Sequence, residues 1–169
     1  PGDPSILVAL LMNRVRLAPG QQIHLGAGTM HAYLGGTGVE IMANSDNVLR
    51  GGLTSKYVDV KALLDHANMT PEPCVAEYAE QVSSGIGRYR TEFPEFRLWE
   101  LKSHDDTLAL PAAELGRILL VTEGQLVAHW GTTNCELSSG QSAWLSAGDK
   151  VMVSGQGRGF LASAGIGAP

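Results

Sequence analysis

A single imidazole invites a chemical reading. In the stretch GAGTMHAYL, residues 26–34, His31 follows a glycine-bounded turn by three positions and directly precedes a strand-like Ala-Tyr-Leu. A neutral histidine can ligate a divalent metal, or it can end a loop with its ring nitrogens satisfied by backbone groups; for an isolated histidine the second role is the commoner. A catalytic zinc needs about three protein ligands and an open position, and His31 is the one good candidate here. His66, His104 and His129 read as surface residues in or beside loops and helix ends, without ligand spacing. His24 alternates with Ile23 and Leu25 and faces either solvent or a barrel lumen. Cys74 and Cys135 stand far apart with no CxxC spacing, so they read as reduced thiols and not as a zinc knuckle or a disulfide framework.

These groups must be positioned by a folded scaffold. With 169 residues, 44% hydrophobic and 17% charged, the chain can bury a core as one large or two small domains. The formal charge of -5, with no basic stripe interleaved with aromatics, argues against a nucleic-acid partner. The longest apolar run, residues 6–12, falls far short of the roughly 20 residues of a membrane span and lacks signal-peptide features. A soluble, cytoplasmic protein is expected. The Pro-Gly-Asp-Pro start, followed at once by that apolar run, suggests a piece of something longer.

The 21 glycines punctuate short runs rich in Val, Ile and Leu, the pattern of an antiparallel sandwich or barrel. Strands are expected at 6–12, 14–17, 22–25, 32–34, 39–43, 96–102, 117–122, 125–130, 143–145, 150–153 and 159–162. Ser45 or Asp46 is placed to cap a turn through 47–50, and Asp59 to cap a helix over 60–66. Residues 68–84 are polar and proline-containing and read as a linker between domains 1–67 and 85–169.

The two domains share a repeat. LAPGQQIHLGAGTMH from Leu17 aligns with LSSGQSAWLSAGDKV from Leu137, matching Gly20 to Gly140, Gln21 to Gln141, Leu25 to Leu145 and Gly28 to Gly148. Both copies read strand, tight turn, strand, with glycine wherever the turn needs positive φ. His31 corresponds to Val151, and His24 to Trp144, which points to packing at that position.

The first copy, G-x5-G-A-G-x2-H-x3-G from Gly20 to Gly35, resembles the second signature motif of the cupin superfamily of small β-barrels, with Gly26 and Gly35 in place of the usual proline and asparagine. The resemblance implies a mainly β, cupin-type β-barrel or jelly roll: a partial catalytic cupin followed by a second, metal-free one, since Val151 replaces the histidine there. The continuation HAYLGGTGVEIMANSDNVLRGGLTSKYVDVKAL resembles the zinc-dependent type I mannose-6-phosphate isomerases through His-Ala-Tyr-Leu, Glu-x-Met-Ala and Ser-Asp-Asn-Val-x-Arg-x-Gly-Leu-Thr.

Carried over position by position, the resemblance makes His31 a zinc ligand, places Tyr33, Glu40 and Lys56 against a sugar phosphate, and makes Arg50 the active-site arginine. The residue types suit the chemistry. Interconverting mannose 6-phosphate and fructose 6-phosphate passes through an enediol-like intermediate, whose developing oxyanion needs a Lewis acid or a fixed positive charge. A guanidinium meets that need, and a desolvated carboxylate such as Glu40 suits proton transfer. Tyr33 and Glu40 equally suit alternation on half-buried strands, and Asn44, Asp46 and Asn47 suit local turn hydrogen bonds that shape the Arg50 loop. The family's other ligands, a Gln-x-His pair and a glutamate, lie upstream and are absent, so the chain alone is expected to be inactive and to bind zinc weakly. Open edge strands imply self-association. Competing readings are a sugar-binding double-cupin module without turnover, and a cupin metal oxygenase, whose His cluster the sequence lacks.

Overall fold

The structure is a computed structural model that describes residues 2–45 and 47–165. It is mainly β, with two short helices, α1 (Ser5–Leu11) and α2 (Val60–His66), and ten strands: β1 (Gln21–Gln22), β2 (Glu77–Tyr78), β3 (Glu80–Ser83), β4 (Ile86–Tyr89), β5 (Phe96–His104), β6 (Leu108–Ala109), β7 (Arg117–Trp130), β8 (Thr133–Ser138), β9 (Ser142–Leu145) and β10 (Met152–Ala164). The chain forms two compact units. The first comprises Pro1–Pro19, Ile23–Glu40 and Asn44–Glu77, and the second Gly20–Gln22, Ile41–Ala43 and Tyr78–Pro169.

The second unit is built on an antiparallel eight-stranded sheet in the order β3-β4-β5-β10-β7-β8, with β6 paired to β10 and β9 to β7. Period-two alternation along β5 sends Trp99, Leu101 and Ser103 inward. Leu119, Val121, Leu126 and Ala128 of β7 join Val153 and Leu161 of β10 in the same core, all fully buried. Strands β7 and β10 are the longest elements and run antiparallel from Met152 opposite His129 to Ser163 opposite Arg117, with a register shift between Arg158 and Gly159. The expected strands at 117–122 and 125–130 are thus one strand that passes through Gly124, and those at 150–153 and 159–162 are one that passes through Gly155 and Gly157.

Glycine is required at this crossing. Gly124 adopts φ +67°, and a Cβ there would lie 2.2 Å from the carbonyl oxygen of Gln156. Such close approach lets one long strand serve two partners: β7 pairs with β9 through 117–120 and with β8 through 125–130. At one end Arg117, fully buried, donates from Nη1 to the carbonyl of Pro111 and from Nη2 to that of Asp149, each at 2.6 Å. Burial pushes its pKa down, partly offset by the nearby Asp149 carboxylate.

The opposite face of the sheet carries a charged cluster. Glu100, 6% exposed, is ion-paired to Arg158 and, at 2.9 Å, to Lys102. Arg158 also stacks over the Phe160 ring at 5.6 Å, and Tyr89 stacks on the same ring at 6.4 Å while its hydroxyl donates to the Gly20 carbonyl at 3.0 Å. Burial, with the Glu100 charge behind it, pushes the Tyr89 phenol up to about 12.

The stretch before Asp59 departs most from expectation. Residues 6–12 are not a strand: helix α1 occupies them, entered through Pro4 at φ -65°. Leu and Ala are good helix formers, and a short apolar run does not distinguish the two structures by periodicity. No strand forms at 14–17, 32–34 or 39–43, and that expected at 22–25 is reduced to Gln21–Gln22. Residues 47–50 form no turn, and Asp46 lies outside the described residues. Helix α2 spans Val60–His66 with Asp59 as its cap, its carboxylate accepting from the Ala62 N–H at 2.9 Å, as read from the sequence. Strands β2, β3, β4, β6 and β8 were not anticipated; polar β2 and β3, fully exposed, lie in the segment read as a linker.

The repeat is visible in the backbone. Gly20 and Gly140 adopt φ +88° and +86°, and Gly28 and Gly148 adopt +78° and +77°. The same turn hydrogen bond recurs, Thr29 N–H to Gly26 O at 3.1 Å and Asp149 N–H to Ser146 O at 3.3 Å.

Two outcomes are expected. Gly124→Ala adds both strain and a clash and should lower the unfolding free energy in urea by about 3 kcal/mol, whereas Gly140→Ala, with φ +86° but open space around its Cα, should cost about 1 kcal/mol. Because the folded state keeps the Tyr89 phenol protonated beyond the pH at which the unfolded chain ionises it, its contribution to stability is intact below about pH 10 and falls between pH 10 and about 12. Tyr89→Phe should flatten that part of the stability-pH curve.

Candidate functional site

All five residues singled out for chemistry lie in the first unit. His31 follows the Gly28 turn, whose glycine is fixed twice over. Its φ is +78°, and a Cβ would sit 2.6 Å from the His66 carbonyl at the end of α2, where the Asn68 N–H also donates to Gly28 O at 2.9 Å. The turn is therefore held by α2 and its Asp59 cap. His31 is exposed, and its Nδ1 lies 3.1 Å from the carbonyl of Thr29, which orients the ring and leaves Nε2 outward.

Its counterpart Val151 is 2% exposed in the core of the second unit, where the Leu110 N–H donates to the Val151 carbonyl at 3.0 Å. The position following this turn thus points into a packed sheet where one is present. In the first unit residues 32–40 form no ladder among the described residues, so the imidazole is open. Trp144, the counterpart of His24, lies over Gly116, where a Cβ would come within 2.0 Å of its ring. It packs, but with 66% of its surface still exposed.

Three of the five residues come together. The His31 and Tyr33 rings meet edge-on with centroids 6.1 Å apart, and the Tyr33 phenol faces the Glu40 carboxylate. Tyr33 is 75% exposed, so the loss of hydration that comes first in raising its pKa is slight, and the interaction with Glu40 and its negative charge push in the same direction.

Arg50 and Lys56 are exposed, and neither side chain makes a hydrogen bond or ion pair among the described residues. The backbone carrying Arg50 is nonetheless anchored. Leu53, in the left-handed region at φ +52°, donates its N–H to Asp3 Oδ2 at 2.9 Å and to Ser5 Oγ at 3.1 Å. The Ser5 hydroxyl first, then the Ser5 N–H and the Leu53 N–H, all donating to the Asp3 carboxylate, hold that carboxyl below the usual range. Gly51 abuts Met30, the neighbour of His31, so closely that a Cβ would stand 2.9 Å from the Met30 Cε. The Arg50 loop and the His31 segment thus touch through Gly51 and Met30. Asp3, Ser5 and Met30 were missed in the sequence; an Asx-type pattern in Asp3-Pro4-Ser5 was the available signal.

Zinc does not find a complete site here. Among the described residues no group of three or more His, Cys, Asp and Glu side chains converges, and His31 offers a single nitrogen. Both cysteines are free thiols. No helix is long and apolar enough to cross a membrane.

Among solved structures the fold is that of the phosphomannose isomerases. The Salmonella typhimurium mannose 6-phosphate isomerase bound to fructose 6-phosphate and zinc superposes with TM-score 0.64 at 27% identity, over 74% of this chain and 32% of that one. A lysine-to-alanine variant gives 0.65 over 73% and 33%. In sequence the chain is 36% identical to the Escherichia coli mannose-6-phosphate isomerase over 94% of its own length and 41% of the relative's, and 30% identical to the Mus musculus enzyme over 90% and 38%. The chain belongs to the mannose-6-phosphate isomerase family and matches its carboxy-terminal portion, spanning about two-fifths of the length of these relatives. No family model matches the sequence.

The Tyr33–Glu40 contact gives a test. Glu40→Gln removes the carboxylate that disfavours the phenolate, so the Tyr33 pKa should fall toward its ordinary value. Ultraviolet titration of phenolate, with Tyr33→Phe to assign the transition, reads this out.

Proposed function

We propose that this chain is the carboxy-terminal portion of a zinc-dependent mannose-6-phosphate isomerase and supplies part of its sugar-phosphate site. The carrying observation is a spacing. Solved phosphomannose isomerase variants replace a histidine, a glutamate and an arginine by alanine, and in that chain the three stand nine and ten residues apart in this order. His31, Glu40 and Arg50 have the same order and intervals. Two lysines and a second glutamate replaced in other variants lie earlier in that chain, which supports placing the remaining site groups outside the residues present here.

In this reading His31 is one zinc ligand, and the metal supplies Lewis acidity in the complete enzyme. Arg50 offers a permanent forked cation to the phosphate or to the enediolate. Glu40 handles the proton that moves between neighbouring carbons, with the Tyr33 phenol beside it. Tyr33 and Lys56 line the sugar. Self-association through the outer strands β3 and β8, and residence in the cytoplasm, belong to the same reading.

The isolated 169-residue chain should show no isomerase turnover and weak zinc binding by equilibrium dialysis. A chimera joining the preceding part of the E. coli enzyme to this chain should isomerise mannose 6-phosphate. In that chimera Arg50→Ala should lower kcat by about 10²-fold or more, and His31→Ala should abolish stoichiometric zinc. Turnover by the isolated chain would overturn the reading. A chimera that binds the sugar phosphate without turning it over would favour a non-catalytic binding module.

A further inference from the structure

The second unit carries a constellation that the isomerase reading does not use. His129, expected as a loop residue on the surface, sits half-buried on β7 with both ring nitrogens engaged. Its Nε2 lies 2.8 Å from Ser154 Oγ and its Nδ1 2.7 Å from Asn134 Oδ1. The ladder explains the grouping. His129 is opposite Asn134 on β8 and opposite Met152 on β10, so Ser154, two residues along β10, is its diagonal neighbour. Ala128 and Val153 are fully buried on the core side, so alternation turns His129 and Ser154 to the other face.

The polarity of the row is defined. Asn134 Oδ1 is an acceptor, so Nδ1 carries the proton and Nε2 presents its lone pair to the Ser154 hydroxyl. Nucleophile, base and orienting group therefore follow in order, within hydrogen-bond reach. The serine is also fixed from behind. Gly155, at φ +105°, has its carbonyl held by Ser103 Oγ at 2.6 Å and by the Asp105 N–H at 3.1 Å. Ser154 and His129 are both half-buried, reachable by a small molecule yet partly shielded from water.

We propose that Ser154 is an activated nucleophile that accepts the acyl group of small activated esters, with His129 as general base and Asn134 as the positioning residue. Ser154 Oγ forms a bond to the acyl carbon while its proton passes to His129 Nε2. The carbon–oxygen bond to the leaving group then breaks, and the leaving oxygen departs with the electron pair, either taking that proton or leaving as the anion while His129 returns the proton to solvent. Water attacks the acyl-serine, giving a proton to the neutral His129, and the serine oxygen recovers one as the acid leaves. The balance is ester plus water to acid plus alcohol. The proposal is confined to donors with good leaving groups, whose departure needs the least oxyanion stabilisation.

The 169-residue chain treated with p-nitrophenyl acetate should release a burst of about one nitrophenolate per chain, with the acetyl group mapped to Ser154 by peptide mass spectrometry. Ser154→Ala should lose the burst, and His129→Gln should slow acylation by about 10²-fold or more while keeping the parent's thermal melt. Asn134→Ala should slow acylation and move the inflection of its pH-rate profile, a change that a merely structural role would not produce. An acetyl group spread over lysines and other histidines in the parent chain would overturn the proposal, as would undiminished reaction of Ser154→Ala. The mapping on the parent chain needs no variant to fold.

Discussion

The antiparallel ladder between β7 and β10 is the constraint on which the rest of the second unit depends. It supplies six of the fourteen buried apolar core side chains among the described residues, and each other strand of the sheet attaches to it directly or through β5. Two strands of this length stay paired only if they bend together, and the bend is made by glycines facing each other at 124 and 157, where no side chain fits. Hydrophobic burial stabilises this unit, but the backbone's freedom at a few positions decides which burial is reachable. The Glu100–Arg158–Lys102 cluster covers the opposite face of the central strands, and the Arg117 staple holds the start of β7.

How much of this was legible beforehand divides along the same lines. Strands with strong alternation and aromatic residues, as from Phe96, or with β-branched residues, as from Arg117, are legible in place, although the glycines inside β7 and β10 read as loop ends and split each strand in two. The missing strands, β3, β4 and β8, are polar or glycine-containing on one side and owe their form to pairing with neighbours, a tertiary effect that no local window contains. Between His31 and Asn44 the mismatch runs the other way. Residues 32–34 and 39–43 have strand-like composition, yet no partner strand exists for them among the described residues, so propensity alone left them irregular. Asp59 as a helix cap needed only local chemistry and was legible.

The candidate site was legible in identity more than in arrangement. His31, Tyr33, Glu40 and Arg50 were found through motif order, and the contact between Tyr33 and Glu40 gives two of them a physical relation. What the sequence concealed was the support: Asp3 and Ser5 beneath Leu53, and Met30 against Gly51, residues with no chemistry of their own. Conversely, His129 lacked any sequence spacing that marked it, because its partners lie on two other strands and meet it only through register.

The tether between Asp3, Ser5 and Leu53 has a consequence for assembly. It closes a loop of about fifty residues with hydrogen bonds that belong wholly to this chain, at the one non-glycine residue between Gly51 and Thr54 that has been forced into a left-handed conformation. The conformational entropy of presenting Arg50 is thereby surrendered during folding of this segment and not at the moment a ligand or a partner polypeptide arrives. A surface prepared in this way acts as a template: whatever completes it meets a guanidinium whose backbone is already set, and its binding free energy is not drawn down by ordering that loop.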